Sequence, residues 1–203
     1  MSLVINMKEH IEIEYKVLLD QKTFQTLLNH YPHYHEYIQT NYYFTHPLLK
    51  QKKYMLRIRE KNNNYEINDS KTEMTLKRPL DRHHLESNIK LSEKEKDAFF
   101  NQHYLDNEVI NILRKEGIDP STLQQQFSLT THRYDIELKE GMLSLDENTY
   151  LQQIDYELEF EVHDQREGYA KFLDIIKPFG IEYTSNCPSK IQRVYMQLEK
   201  LKL

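Results

Sequence analysis

The sequence predicts an α+β fold in which antiparallel strands dominate. Two observations support this prediction. Segments toward both ends alternate apolar and polar residues with a period of two, and helical patterns with start signals lie between and after them. The chain has 203 residues, enough for one large domain or two small ones. Because no low-complexity linker or clear internal repeat divides it, we expect a single domain over residues 1–203.

The first elements are a strand and a helix. The strand covers residues 10–19, where two sets of side chains alternate: Ile11, Ile13, Tyr15 and Val17 on one face, and Glu12, Glu14 and Lys16 on the other. Asp20 then predicts a helix N-cap, and Pro32 ends the helix. Further strands are predicted at residues 38–45, 53–60, 65–68 and 72–78, with Asn62, Asn63 and Asn64 as a hairpin turn.

The middle of the chain predicts helices. Ser92 followed by Glu95 is a capping-box signature. Apolar residues at 109–113 predict a second helix that ends at Gly117, and Asp119-Pro120 predicts the start of a short third. We therefore expect a helical insertion at about residues 91–126. The chain then returns to strands at residues 127–139, 141–146 and 155–163, and helices at about 166–179 and 189–202 finish it.

Composition argues against several classes of function. With 27 Lys and Arg against 32 Asp and Glu, the net charge is −5, which gives no overall attraction to nucleic acid. The single cysteine, Cys187, cannot form an internal disulfide, which is typical of a reducing compartment. The first residues show no export signal, and no stretch approaches the length of a membrane span. We expect a cytoplasmic protein without membrane contact, either a monomer or a homodimer.

The two faces of the predicted strands differ sharply. One face is apolar and suited to packing against helices. The other face carries ionisable and polar side chains: Glu12, Glu14, Lys16, Arg57, Arg59, Thr75, Lys77, Arg133, Asp135, Glu137, Asp146, Glu157, Glu159 and Glu161. Two architectures fit this pattern. The strands form an open sheet with its charged face in water, or they close into a barrel with a wet, charged interior and helices outside.

Charges of one sign along single strands suggest a binding site. Arg57 and Arg59 flank Ile58, and three glutamates share a face at 157, 159 and 161. Like charges on one face repel one another unless a cation lies among them. The pattern therefore favours a site that binds a polyanion together with metal ions.

The Glu12-x-Glu14-x-Lys16 start resembles the signature of the CYTH superfamily, the triphosphate tunnel metalloenzymes. Later segments occur in the family's order: Asn41-Tyr42-Tyr43-Phe44-Thr45, Leu56-Arg57-Ile58-Arg59, Thr75-Leu76-Lys77, Arg133, Asp146, the strand at 157–161, and Ser189-Lys190-Ile191-Gln192-Arg193. The resemblance covers nearly the whole chain and is strongest to single-domain proteins of Gram-positive bacteria. It implies a closed eight-stranded antiparallel β-barrel with helices packed outside, in which acidic residues hold Mg²⁺ or Mn²⁺ and basic residues hold a triphosphate.

The resemblance and the chemistry of phosphate together assign candidate residues. Arginine forks and lysine ammonium groups suit phosphate oxygens; the candidates are Lys16, Arg57, Arg59, Lys77, Arg133, Lys190 and Arg193. Carboxylates suit a divalent cation; the candidates are Glu12, Glu14, Asp146, Glu157, Glu159 and Glu161. Among the three glutamates of the last strand we rank Glu159 first, then Glu161, then Glu157. The catalytic set that we expect is Glu12, Glu14, Lys16 and Arg59.

The predicted function is metal-dependent hydrolysis of a triphosphate. The expected partner is a small-molecule substrate: inorganic triphosphate first, then a nucleoside or thiamine triphosphate. Two alternatives stay open, an adenylyl cyclase and a non-catalytic module that binds triphosphate, polyphosphate or a nucleotide. A zinc site at His33 and His35 or at His83 and His84 is disfavoured by the spacing, and Cys187 lacks an identifiable histidine partner for a catalytic thiol.

Overall fold

The computed structural model describes residues 7–31, 34–62, 71–81, 83–102 and 105–201. Its strands are β1 (Lys8–Glu12), β2 (Glu14–Leu19), β3 (His35–Thr45), β4 (Met55–Asn62), β5 (Lys71–Leu80), β6 (His83–Leu91), β7 (Gln124–Leu138), β8 (Gly141–Tyr150) and β9 (Gln153–Val162). Its helices are α1 (Gln21–His30), α2 (Pro47–Lys52), α3 (Glu93–Gln102), α4 (Glu108–Lys115), α5 (Gln165–Ile176) and α6 (Lys190–Leu201), with short 3₁₀ turns at Pro120–Thr122 and Lys177–Phe179.

The strands form one sheet in the order β1-β6-β5-β4-β3-β7-β8-β9-β2. The strand pairs with a defined register are antiparallel, as predicted. The α+β class with helices packed on the sheet is therefore confirmed. Over the described residues the sheet has nine strands where eight were predicted. Two differences add strands: the predicted strand at 10–19 is divided at Ile13 into β1 and β2, and β6 was not predicted. The strand predicted at 65–68 lies outside the described residues.

The helix starts follow the local signals in the sequence. The Asp20 side chain accepts a hydrogen bond from Thr23 N at 2.7 Å and caps α1. The capping box of α3 is formed in both directions. Ser92 N donates to Glu95 Oε2 at 2.8 Å, and Glu95 N donates to Ser92 Oγ at 3.3 Å. The short helix α2 was not predicted, because its six residues are too few to show helical periodicity.

The chain divides into two compact units, each made of two segments. In the first unit, residues up to Glu12 join Gln39–Ser128. Its core packs α3 and α4 against the apolar face of β4, β5 and β6, as the period-two pattern predicts. The largest fully buried side chains there are Leu49, Leu56, Ile58, Met74, Leu76, Phe99, Ile110, Leu113 and Ile118.

The second unit combines Ile13–Ile38 with residues from Leu129 onward. Its core packs α1 and α5 against β8 and β9, with Leu27, Leu143, Leu145, Leu158, Phe160 and Phe172 fully buried. These four helices, α1, α3, α4 and α5, thus cover the apolar face of their unit, which leaves the charged face of the strands for other contacts. The assignment of residues 1–203 to a single domain with an insertion stays a prediction. None of the helices among the described residues is long and apolar enough to cross a membrane.

Candidate functional site

Three carboxylates meet on the charged face of the second unit. Asp146 lies on β8 directly opposite Glu157 on β9, and Glu159 follows two residues later on the same face of β9. One carboxylate oxygen from each lies within 4.8 Å of the others. Asp146 and Glu157 are completely buried, and the neighbouring Leu145 and Leu158 lie in the core on the opposite face of the strands. We call Asp146, Glu157 and Glu159 the acidic triad.

Arg133 and Lys190 contact the acidic triad from different elements. Arg133 on β7 lies opposite Asp146 and donates to both of its oxygens, from Nε at 2.7 Å and from Nη2 at 2.6 Å. The same Nη2 donates to Glu159 Oε2 at 2.6 Å. Lys190 at the start of α6 reaches all three acids, with its Nζ 2.9 Å from Asp146, 2.8 Å from Glu157 and 2.7 Å from Glu159. These two side chains compensate the buried negative charge.

Arg193 holds α6 over the same face. Its guanidinium contacts Glu157 Oε2 at 2.7 Å and forks onto Asp155 at 2.8 and 3.2 Å. Its Nη1 also donates to the carbonyl of Pro188 at 2.7 Å. Because the residue is only 6% exposed, Arg193 is an internal anchor of the helix as much as a candidate ligand for phosphate.

Burial and charge act on the protonation of the triad in opposite directions. Burial is the largest influence on each acid and disfavours the ionised form. At Asp146 the pKa is still lowered, because Arg133 and Lys190 outweigh burial. At Glu159 the pKa is held well below its usual range by Lys190 and Arg133. At Glu157 burial prevails together with repulsion from Glu159, so its pKa is raised despite Lys190. Glu157 is the triad member that protonates most readily.

The triad fits a divalent cation such as Mg²⁺ or Mn²⁺. Such ions prefer oxygen ligands and are held by one or two carboxylates together with substrate oxygens and water. The triad supplies carboxylate oxygens at the required mutual spacing. Lys190 Nζ touches the same oxygens, which shows that they favour a compact positive charge.

Glu14 and Lys16 lie beside this group on β2. Lys16 is directly opposite Glu159 in the strand register, and its Nζ is paired with Glu14 Oε1. The Lys16 side chain is mostly buried, which opposes its charge, but Glu14 and Glu159 outweigh burial and raise its pKa. Glu14 and Lys16 thus lie next to the acidic triad within the second unit, and their role in a site stays a prediction.

Glu161 does not join the triad. It lies opposite Glu14 in the register and is exposed, whereas Glu157 is completely buried among its partners. The sequence ranking placed Glu161 ahead of Glu157. The structure gives the opposite order of proximity to Asp146, because the register of β8 and β9 sets Asp146 opposite Glu157 and Met142 opposite Glu161.

The first unit holds a second charged group. Lys77 Nζ lies 2.6 Å from Glu12 Oε2 and 2.8 Å from Glu86 Oε1, and Arg57 Nη2 lies 3.9 Å from the same Glu86 oxygen. We call Glu12, Arg57, Lys77 and Glu86 the Glu86 cluster. Burial opposes ionisation of Glu86, but Arg57 and Lys77 prevail and lower its pKa. Arg59 lies two residues after Arg57 on the same face of β4, and its Nε donates to Asn41 Oδ1 at 2.9 Å.

The sequence prediction missed Glu86. The signal was present, since His84, Glu86 and Asn88 alternate with Leu85 and residues that face the core. Because strand β6 was not recognised, this alternation was not used. The predicted site residues thus fall into two groups: Glu12, Arg57, Arg59 and Lys77 belong to the first unit, and Glu14, Lys16, Arg133, Asp146, Glu157, Glu159, Glu161, Lys190 and Arg193 belong to the second.

Comparisons with known proteins extend over nearly the whole chain. The family model of the CYTH domain matches residues 10–195. A protein of Bacillus subtilis (strain 168) named "Putative triphosphatase YjbK" is 34% identical over 198 residues, which cover 96% of this chain and 99% of that protein.

Two solved structures are also similar. The crystal structure of a protein from Bacillus halodurans described as "a putative adenylate cyclase" has a TM-score of 0.80 and 35% identity, and the match covers 91% of this chain and 97% of that one. The Hippeastrum protein HpAC1, a "putative adenylyl cyclase" described as having a dominant triphosphatase activity, has a TM-score of 0.72, with 92% and 96% coverage. At 20% identity the second likeness shows the fold alone.

Proposed function

Because the chain belongs to the CYTH domain family, we propose that it hydrolyses a triphosphate with the help of a divalent metal ion, and that inorganic triphosphate is its preferred substrate. One observation carries the proposal: the acidic triad contacts three basic side chains, Arg133, Lys190 and Arg193. A site that only stabilised the fold would not need three carboxylates within 4.8 Å of one another, since replacement of a buried group of paired charges by apolar residues is often neutral or stabilising.

The metal would be held by the acidic triad, with Glu14 as a further carboxylate on the neighbouring strand. When bound, a divalent cation supplies charge neutralisation on the phosphate oxygens of the substrate. The chain's own residues determine where that charge lies: Arg133 fixes the orientation of Asp146 through two hydrogen bonds, and the buried leucines behind the strands prevent the carboxylates from relaxing apart.

The basic residues around the triad would bind the phosphates. Hydrolysis of a triphosphate spreads negative charge over the transferred group, so fixed cations favour the transition state. Lys16, Lys190 and Arg133 offer such cations in the second unit. The assignment of Arg57, Arg59 and Lys77 in the first unit to phosphate binding stays a prediction from the sequence. No serine or cysteine nucleophile is required, because water is the acceptor.

The names of two relatives suggest different activities. The B. subtilis protein at 34% identity carries the name of a triphosphatase, and the B. halodurans protein at 35% identity carries the name of an adenylate cyclase. Cyclisation of ATP uses the same charged groups for the triphosphate but also needs recognition of the base and activation of the ribose 3′-hydroxyl. The acidic and basic groups described above account for the triphosphate alone, and we therefore place hydrolysis first.

The experiment that tests the proposal measures phosphate release from inorganic triphosphate, ATP and thiamine triphosphate with Mg²⁺ or Mn²⁺. Asp146→Asn removes one carboxylate of the triad while preserving its size. Glu147→Gln is the matched control, because Glu147 is the next residue of β8 and lies opposite Tyr156, on the other face of the strand. We expect at least about a hundredfold loss of turnover for Asp146→Asn, in keeping with loss of a metal ligand, and little change for Glu147→Gln.

The products separate the three candidate functions. Orthophosphate and pyrophosphate from inorganic triphosphate, in a metal-dependent reaction, support hydrolysis. Cyclic AMP and pyrophosphate from ATP would replace it with the cyclase. Tight binding of inorganic triphosphate by folded protein with no turnover of any substrate would instead identify a binding module.

A further inference from the structure

The segment that precedes α6 lies along the edge of β2. This strand stands at the end of the sheet order, with β9 on its other side. Lys16 N donates to Asn186 Oδ1 at 2.9 Å, and Asn186 Nδ2 donates to the carbonyl of Glu14 at 2.9 Å. Cys187 N in turn donates to the carbonyl of Lys16 at 3.2 Å. The backbone groups of Glu14 and Lys16 are thus hydrogen-bonded to two consecutive residues that precede α6, Asn186 and Cys187.

The carboxamide of Asn186 acts here as a peptide group would. It offers a donor and an acceptor side by side, and it uses them on residues 14 and 16, which direct their backbone groups to the same edge of the strand. The Tyr183 hydroxyl donates to Asn186 Oδ1 at 2.9 Å and fixes the orientation of the side chain. Together with Cys187 N, Asn186 therefore continues the hydrogen-bond ladder beyond the last strand of the sheet.

The same segment leads directly into the helix that carries Lys190. Pro188 follows Cys187, and its carbonyl accepts the hydrogen bond from Arg193 Nη1. Lys190 is the first residue of α6 and contacts the acidic triad. Through a few residues of chain, Asn186 connects the backbone of Glu14 and Lys16 to the start of α6.

We propose that Asn186 is a positioning residue for the triphosphate site. Its carboxamide holds the backbone of Glu14 and Lys16 in a fixed register with the start of α6, so that their side chains and Lys190 meet the substrate together. This inference rests on the proposed function, but Asn186 itself touches neither the acidic triad nor the reacting atoms. Its role is to set the position of groups that do.

The test compares two variants of nearly the same size with a neighbouring control. Asn186→Leu removes both the donor and the acceptor, and Asn186→Asp keeps the acceptor for Lys16 N but lacks the donor to the Glu14 carbonyl. Ser185→Ala changes the adjacent exposed residue. For each variant we would measure kcat and KM for inorganic triphosphate with Mg²⁺, the melting temperature, and the affinity for Mn²⁺ without substrate by electron paramagnetic resonance.

We expect Asn186→Leu to lower kcat/KM by about tenfold or more with effects on both kcat and KM, Asn186→Asp to lose about threefold, and Ser185→Ala to match the wild type. Wild-type kcat and KM in Asn186→Leu, with only a lower melting temperature, would overturn the proposal. If Asn186→Leu does not fold, Asn186→Asp decides alone, and unchanged kinetics in that variant would also overturn it.

Failure of the proposed function is distinguishable from failure of this inference. If the wild-type protein hydrolyses no triphosphate, the proposed function fails while the binding measurements still decide the role of Asn186. Weaker binding of Mn²⁺ and inorganic triphosphate by Asn186→Leu than by Ser185→Ala would support positioning of Glu14 and Lys16. Equal binding by the two variants would overturn it.

Discussion

Lys190 and Glu157 form an ion pair between α6 and β9, with Nζ 2.8 Å from Oε2. Glu157 is completely buried, and the Lys190 side chain is only 13% exposed. The same ammonium group contacts Asp146 and Glu159, so one lysine contacts all three carboxylates of the triad. Charge at the acidic triad therefore depends on a residue that is distant in sequence and lies on the last helix.

Removal of Lys190 should strengthen metal binding. Lys190→Met deletes the ammonium group that contacts the three carboxylates of the triad. A divalent ion then no longer competes with this group, and it offsets a larger repulsion among the carboxylates. We expect Mn²⁺ affinity without substrate to increase by about tenfold or more. Lys200→Met, in the last turn of the same helix, is the control for loss of one positive charge and should leave the affinity unchanged. An affinity that stays the same or falls in Lys190→Met would show that Lys190 does not compete with the metal.

Two glutamates on one face of β9 should differ in their effect on metal binding. Glu157 belongs to the acidic triad, whereas Glu161 is exposed and lies opposite Met142. We expect Glu157→Gln to weaken Mn²⁺ binding by about tenfold to a hundredfold and Glu161→Gln to change it by less than about threefold. Isothermal titration of both variants measures the difference. The reverse order of effects would restore the ranking that the sequence suggested.

The Glu86 cluster should make stability depend on pH. The pKa of Glu86 is lowered in the folded protein from its ordinary value of 4.5, because Arg57 and Lys77 outweigh burial. The folded state then binds fewer protons than the unfolded state, so the stabilisation is present above about pH 4.5 and is lost as the pH falls below it. We expect Glu86→Gln to lower the free energy of unfolding by about 2 kcal/mol at pH 7.

Urea unfolding at pH 7 and at pH 3.5 measures this effect. The difference in the free energy of unfolding between the wild type and Glu86→Gln should be smaller at pH 3.5, because the Glu86 carboxyl is then largely protonated in the unfolded wild type. Glu182→Gln changes an exposed glutamate and should show little difference at either pH. A constant difference at both pH values would mean that Glu86 acts through its shape and hydrogen bonds rather than its charge.

The thiol of Cys187 should react slowly. Burial and the nearby Glu157 carboxylate raise the pKa of this thiol from 9.0 to about 12, and Sγ lies 3.7 Å from Glu157 Oε1. Because the thiolate is the reactive form, we expect the native protein at pH 8 to react with Ellman's reagent about a thousandfold more slowly than the chain unfolded in urea. In the presence of a chelator, the Cys187 thiol of Glu157→Gln should react faster than that of the wild type, because the carboxylate that raises the thiol pKa is removed. Equal rates for folded and unfolded wild-type protein would contradict the expectation.

Local sequence signals predicted much of the fold. A period of two in the strands determines which side chains share a face, whatever the partner strand. The predicted apolar face therefore lies in the core, where Leu56, Ile58, Leu158 and Phe160 are completely buried. The capping box at Ser92 and Glu95 depends on residues three apart, so it could be recognised without tertiary structure. The division of the first strand at Ile13 and the strand β6 were missed, because strand ends depend on pairing with distant residues.

Local patterns in the amino-acid sequence establish that one face of the strands is charged and which residue types lie there, and the ordered motifs indicate the family to which the chain belongs. Which charges meet depends on the three-dimensional fold. The pairing of Asp146 with Glu157 rather than Glu161 follows from the register of β8 and β9, and the contacts of Lys190 and Asn186 follow from the path of the last segment. Neither is encoded in a local period, because register and helix docking are fixed by core packing between residues that are far apart in the chain.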